Sequence, residues 1–159
     1  MYKKILVPVD GSETSTRGLS EAISVAQGDG GKLCLVHVVN ELVLDYSYGA
    51  GPGGSSLVDS LREIGNAILR QAEETVRKVG VPVESVLLEC VGGPAADSIV
   101  AQAKEWHADL IVMGTHGRRG LRRFAMGSDA EAVVRESPVP VLLVRQPAAK
   151  SDSRKAALA

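Results

Sequence analysis

The chain has 159 residues, 45% of them apolar, and a formal charge of −1. That length suits one domain with a short tail, and that apolar content excludes a wholly disordered chain. The near-neutral charge and the 3% of aromatic residues argue against an extended nucleic-acid surface, which needs cations for phosphates and rings for stacking.

Lys4 to Val9 is a β-branched apolar run and is predicted to be a buried strand. Asp10-Gly11-Ser12 is a turn signal, and Ser12 suits the N-cap of a helix from Glu13 to Gln27. Leu19, Ala22, Ile23 and Ala26 share one face of that helix, which Gly28 to Gly31 ends. Lys32 to Val39 is the second predicted strand. Glu41 to Ser56 contains Tyr46 to Gly54, too rich in glycine for a stable element. It is expected to be a surface loop, a variable insertion or, beside a ligand, a lid. A long helix is predicted from Ser56 to Val79, with Leu57, Leu61, Ile64, Ile68, Ala72, Val76 and Val79 as its buried stripe. Gly65 would weaken it by about 1 kcal/mol relative to alanine.

Val83 to Val91 is the third predicted strand, and Pro94 suits the start of a helix reaching Trp106. Ala108 to Met113 is the fourth. The loop Gly114 to Ser128 reads G-x2-G-x9-G-S and leads into a helix from Asp129 to Ser137. Backbone amides in a glycine-bearing strand-to-helix loop can surround a phosphate, because no Cβ blocks the approach. Ser128 with Glu131 also reads as a capping box. Pro138 and Pro140 stop the helix before a fifth strand, Val141 to Arg145.

Strands alternating with helices imply an α/β fold: a five-stranded parallel sheet with helices on both faces, Rossmann-like. Ligands of such sheets bind beyond the carboxyl ends of the strands, where the strand order switches. The loops after strands one and four carry the unusual residues, so they are the expected site. Cys34 and Cys90 lie in apolar runs without metal spacing and are expected to be buried thiols. No stretch has the length of a membrane span and the first apolar run is too short for a signal sequence, so a cytoplasmic protein is expected.

Val7-Pro8-Val9-Asp10-Gly11-Ser12, the G-x2-G-x9-G-S loop and Pro138-Val139-Pro140-Val141-Leu142-Leu143-Val144 together resemble the universal stress protein family. The resemblance runs from Lys3 to Arg145, and the glycine loop resembles that of the family's ATP-binding branch. It implies the strand order 3-2-1-4-5 of the adenine nucleotide α-hydrolase-like sheet, in a domain over residues 1–147; the small, polar stretch at 148–159 is expected to be a disordered tail. It implies ATP, or AMP or ADP, as ligand, with Mg2+ held through the phosphates. Gly114, Gly117, Gly127 and Ser128 would hold ribose and phosphates, with His116 and Asp129 joining mainly through backbone. Pro8, Val9 and Asp10 would border the nucleoside, with Ser12 also among the nucleotide-binding residues, Val38 would present backbone to the adenine edge, and Met113 would pack near the sugar or base. Asp10 is open to two readings, a ribose or metal-linked carboxylate and an Asx-turn acceptor. Asp129 departs from the small apolar residue common after Gly-Ser, and a carboxylate beside a triphosphate repels it unless a cation intervenes.

The resemblance further implies a homodimer through Val141 to Val144 and a nucleotide-dependent stress-response regulator with unidentified protein partners. A nucleotide-free dimeric interaction module is the alternative. Nucleophile elbow, metal-ligand spacing and Walker lysine are absent from the sequence, so at most slow ATP hydrolysis or autophosphorylation is expected. Arg118, Arg119, Arg122 and Arg123 form a basic stretch from which one cation could reach a phosphate.

Overall fold

Successive side chains of a strand point to opposite faces of its sheet, and the first strand obeys this strictly. Ile5 and Val7 enter one core, and Leu6 between them enters the other. The computed structural model describes residues 1–40, 54–90, 92–115 and 126–145, with backbone alone at 54–56. Its elements are β1 (Lys4–Pro8), α1 (Glu13–Asp29), β2 (Lys32–Asn40), α2 (Gly54–Lys78), β3 (Val83–Cys90), α3 (Ala95–Glu105), β4 (Leu110–Gly114), α4 (Ser128–Glu136) and β5 (Val141–Val144). All strand pairs are parallel, in the order β3-β2-β1-β4-β5. The expected sheet and strand order are therefore present.

One core packs Ile5, Val7, Leu33 and Leu35 against Leu19, Ala22 and Ala26 of α1 and Leu69, Ala72 and Val76 of α2. The other packs Leu6, Cys34, Val36 and Ile111 against Ala96, Ile99 and Ala103 of α3 and Ala130 and Val133 of α4. Ile5, Leu6, Leu33, Leu35 and Ile111 are fully buried, and each contributes about 1.5–3 kcal/mol of transfer free energy. Cys34 and Cys90 are free and buried as expected.

The helix over residues 54–78 differs from its expected stripe. Leu69, Ala72 and Val76 are buried, but Ile64 and Val79 are each 46% exposed. The line of closest approach passes through Gly65 instead. A Cβ there would lie 2.7 Å from Cδ2 of His37 and 2.7 Å from Cδ1 of Leu87. The glycine that reads as a weak point in the sequence is thus the point at which α2 seats on β2 and β3. This helix also begins at Gly54 rather than Ser56, in the first turn, where amides have no intrahelical partner.

Helix α4 starts one residue before its expected position. Gly127 is its N-cap, at φ −65° and ψ 147°, and no side chain caps it. The capping box between Ser128 and Glu131 is not formed, because Ser128 already sits inside the helix; the Glu131 amide donates to the Gly127 carbonyl at 2.9 Å. Pro94 is the N-cap of α3 rather than its first helical residue. The tail 148–159, most of the 41–56 loop and loop residues 116–125 lie outside the described residues.

Candidate functional site

A cavity of about 580 Å³ opens beyond the carboxyl ends of β1, β2 and β4. That volume is in the range that holds small organic ligands. Its place follows from the topology: β1 and β4 are sheet neighbours whose outgoing helices, α1 and α4, belong to opposite cores, so the two connections part and leave a crevice.

The β1 wall is Pro8, Val9 and Asp10. Val9 extends the sheet by donating its amide to the Val36 carbonyl at 2.8 Å. Asp10 then makes the Asx-turn, its Oδ1 accepting from the Ser12 amide at 2.9 Å while Gly11 takes a φ of 79°. Ser12 Oγ accepts from the Ser15 amide at 3.2 Å and caps α1. The Asx-turn reading of Asp10 is thus formed, and the same residue also lines the cavity. Ser12 does not line it, since its hydroxyl is turned to the helix cap.

The β4 wall is Met113, Gly114 and Thr115. The Thr115 amide donates to the Val144 carbonyl, and its carbonyl accepts from the Gly127 amide, both at 2.9 Å. The first bond ties the end of β4 to β5, and the second brings the ends of the glycine loop together. Gly114 has a packing reason for its missing side chain: a Cβ would lie 2.9 Å from the carbonyl carbon of Thr14 and 3.0 Å from its oxygen. Backbone cannot move aside as a side-chain tip can, so α1 rests directly on β4 at this glycine. Gly127, Ser128, Asp129 and Ala130 complete this side. Their amides begin α4, where the helix dipole favours negative charge.

The β2 wall runs from Val36 to Asn40 and includes Val38. His37 is buried, and its Nδ1 lies 2.7 Å from the Val9 carbonyl oxygen. A carbonyl only accepts, so the ring proton sits on Nδ1, and the histidine ties the β1 turn to the strand beside it. Asn40 donates from Nδ2 to the Gly93 carbonyl at 3.1 Å and holds the loop before α3. Pro94, Ala95 and Ile99 close that end, and Leu61 and Ile64 of α2 form an apolar flank. The half-exposed Ile64 is thus one of the cavity-lining residues.

Nine of the residues expected at the site line this one cavity: Pro8, Val9, Asp10, Val38, Met113, Gly114, Gly127, Ser128 and Asp129. Ser12 does not, and His116 and Gly117 lie outside the described residues, as do the four loop arginines. Ser15, His37, Asn40 and Thr115 are polar lining residues that the sequence reading did not assign to the site. Only Ser15 carried a legible signal, standing three places after an N-cap beside a ligand-side turn. The described lining contains two carboxylates, Asp10 and Asp129, and neither lysine nor arginine.

Residues 1–145 match the universal stress protein family. The chain belongs to that family. It is 35% identical over 148 residues to a universal stress protein of Methanocaldococcus jannaschii, covering 92% of this chain and 84% of that one. A universal stress protein from Archaeoglobus fulgidus in complex with dAMP superposes with a TM-score of 0.67 at 30% identity, over 90% of this chain and 98% of the other. A universal stress protein in complex with cAMP superposes with a TM-score of 0.64 at 27% identity, over 91% and 97%. Among the described residues no helix is long and apolar enough to cross a membrane.

Proposed function

We propose that this universal stress protein binds an adenine nucleotide in the cavity between β1, β2 and β4 and acts as a nucleotide-dependent regulator of the family's ATP-binding branch. The observation that carries the reading is the convergence of nine expected residues, from four separate stretches of sequence, on one cavity of about 580 Å³. The relatives in complex with dAMP and cAMP support the choice of an adenine nucleotide. The base lies against Val9, Val38 and Met113, the sugar beside Asp10 and Gly114, and the phosphates at the Gly127–Ser128 amides, where no side-chain cap competes for them. Among the described residues no three His, Cys, Asp or Glu side chains gather, so Mg2+ is held mainly by phosphate oxygens, with Asp10 and Asp129 as the carboxylates within the site.

The test is to denature freshly purified protein, identify any released nucleotide by chromatography, and titrate the stripped protein with AMP, ADP and ATP by calorimetry. A released adenine nucleotide and saturable binding are expected. No nucleotide and no binding would favour the nucleotide-free interaction module. Turnover at about 1 per second or faster would contradict a regulator and indicate an enzyme.

The same reading includes a homodimer through β5. That strand is a sheet edge, and Leu142 on it is 39% exposed. An apolar edge with unpaired backbone groups favours pairing with a second copy. Sedimentation is expected to show a dimer, and a monomer at every concentration would remove this part.

A further inference from the structure

The cavity lining includes a buried hydroxyl whose hydrogen no described residue accepts. Ser15, in the first turn of α1, is 6% exposed and lines the cavity. Its Oγ accepts from the Asp10 amide at 3.1 Å, and its own amide donates to Ser12 Oγ. A serine hydroxyl has one hydrogen to donate besides its acceptor lone pairs. Among the described residues that hydrogen meets no acceptor. Leaving a buried donor unmatched is costly, so such groups are satisfied by protein, water or ligand.

The position of Ser15 selects among these. Thr14, the preceding residue, packs its carbonyl group against Gly114, so Ser15 stands at the crevice between the ends of β1 and β4. Its Oγ is fixed by the Asp10 amide, and Asp10 and Gly114 are the two residues placed beside the sugar. We propose that Ser15 is a ligand-binding residue, whose hydroxyl donates to a ribose or phosphate oxygen of the bound nucleotide. Accepting from Asp10 and donating to the ligand at once, it links the β1 turn to occupancy of the cavity. The proposal rests on the adenine-nucleotide reading of this cavity.

The test is a ligand series of adenine, adenosine and AMP, titrated by calorimetry or ligand-observed NMR against wild type, Ser15→Ala and Ser15→Cys. The second variant keeps the size and a weak acceptor for the Asp10 amide, which protects the turn should alanine loosen it. One lost hydrogen bond predicts affinity weaker by about tenfold. The loss is expected to be absent for adenine. It appears at adenosine if the partner is a ribose oxygen, and only at AMP if it is a phosphate oxygen. Wild-type binding with no loss in either variant would overturn the proposal and assign the hydrogen to water. An equal loss for all three ligands, adenine included, would overturn it in favour of a purely structural role. If wild type binds none of the three, the nucleotide reading falls and this proposal falls with it.

Discussion

Two glycine-to-alanine substitutions in helices should change stability in opposite directions. Alanine in a helix interior is favoured over glycine by about 1 kcal/mol. At Gly28, near the end of α1, an added Cβ would meet nothing within 4 Å, so Gly28→Ala should realise most of that gain. At Gly65 the same methyl would sit 2.7 Å from both His37 Cδ2 and Leu87 Cδ1. The Leu87 methyl can swing aside, but the His37 ring is held by the Val9 carbonyl at 2.7 Å. Overpacking of this kind costs about 1–3 kcal/mol, so after the propensity gain Gly65→Ala should lose roughly 1 kcal/mol. For a domain of this size that is a fall in Tm of about 2–4 °C, against a comparable rise for Gly28→Ala. Denaturant melts followed by circular dichroism, with calorimetric scans, would measure both. Moving the His37 ring also shifts the Val9 wall, so Gly65→Ala should weaken nucleotide binding while Gly28→Ala leaves it unchanged. Equal stabilisation by the two substitutions would refute the claim that α2 seats on the sheet at Gly65.

Three further outcomes are expected. Burial chiefly, helped by the Glu84 carboxylate and opposed by Lys32, pushes the Cys34 thiol up to about 12, so at pH 8 its thiolate is roughly a thousandfold scarcer than that of an ordinary cysteine. Cys34 should therefore stay unmodified by iodoacetamide in the native protein and react only on unfolding; rapid native labelling would contradict its burial. The Arg62 guanidinium hydrogen-bonds Glu89 at 2.6 and 3.1 Å and holds its carboxyl below the usual range. The contribution of this pair is present above the ordinary carboxylate pKa and is lost as pH falls through the depressed value. NMR titration should show Glu89 moving upward in Arg62→Ala, with only a small change in stability because the pair is exposed. Asp129→Asn should strengthen ATP binding without Mg2+ by about fivefold and leave adenosine unchanged, since it removes one carboxylate from the phosphate end. Equal effects on both ligands would place Asp129 away from the phosphates.

Strand identity was legible because it depends on local pattern. The β-branched run at Lys4–Pro8 and the apolar core of Lys32–Asn40 can be read without knowing their neighbours. The alternation with helices then implied the switch point, and so the two loops that bear the site. What was not legible depends on distant elements meeting. Gly65 reads as a defect until His37 and Leu87 are set against it. Asn40 has no visible role until Gly93 arrives beside it from the loop before α3. Ser128-x-x-Glu131 satisfies the local rule for a capping box, yet the Thr115 carbonyl draws the Gly127 amide into the β4 end and starts the helix one residue early. His37 is a buried strand histidine, but the atom it holds belongs to the cavity wall.

The central claim is that the cavity at the ends of β1, β2 and β4 is an adenine-nucleotide site. A crystal structure of the chain grown with saturating AMP or ATP and Mg2+ tests it most directly. The account predicts the base between Val9 and Val38, and phosphate density at the Gly127 and Ser128 amides. Nucleotide bound at another surface, or a cavity left empty at concentrations that saturate binding in solution, would contradict it.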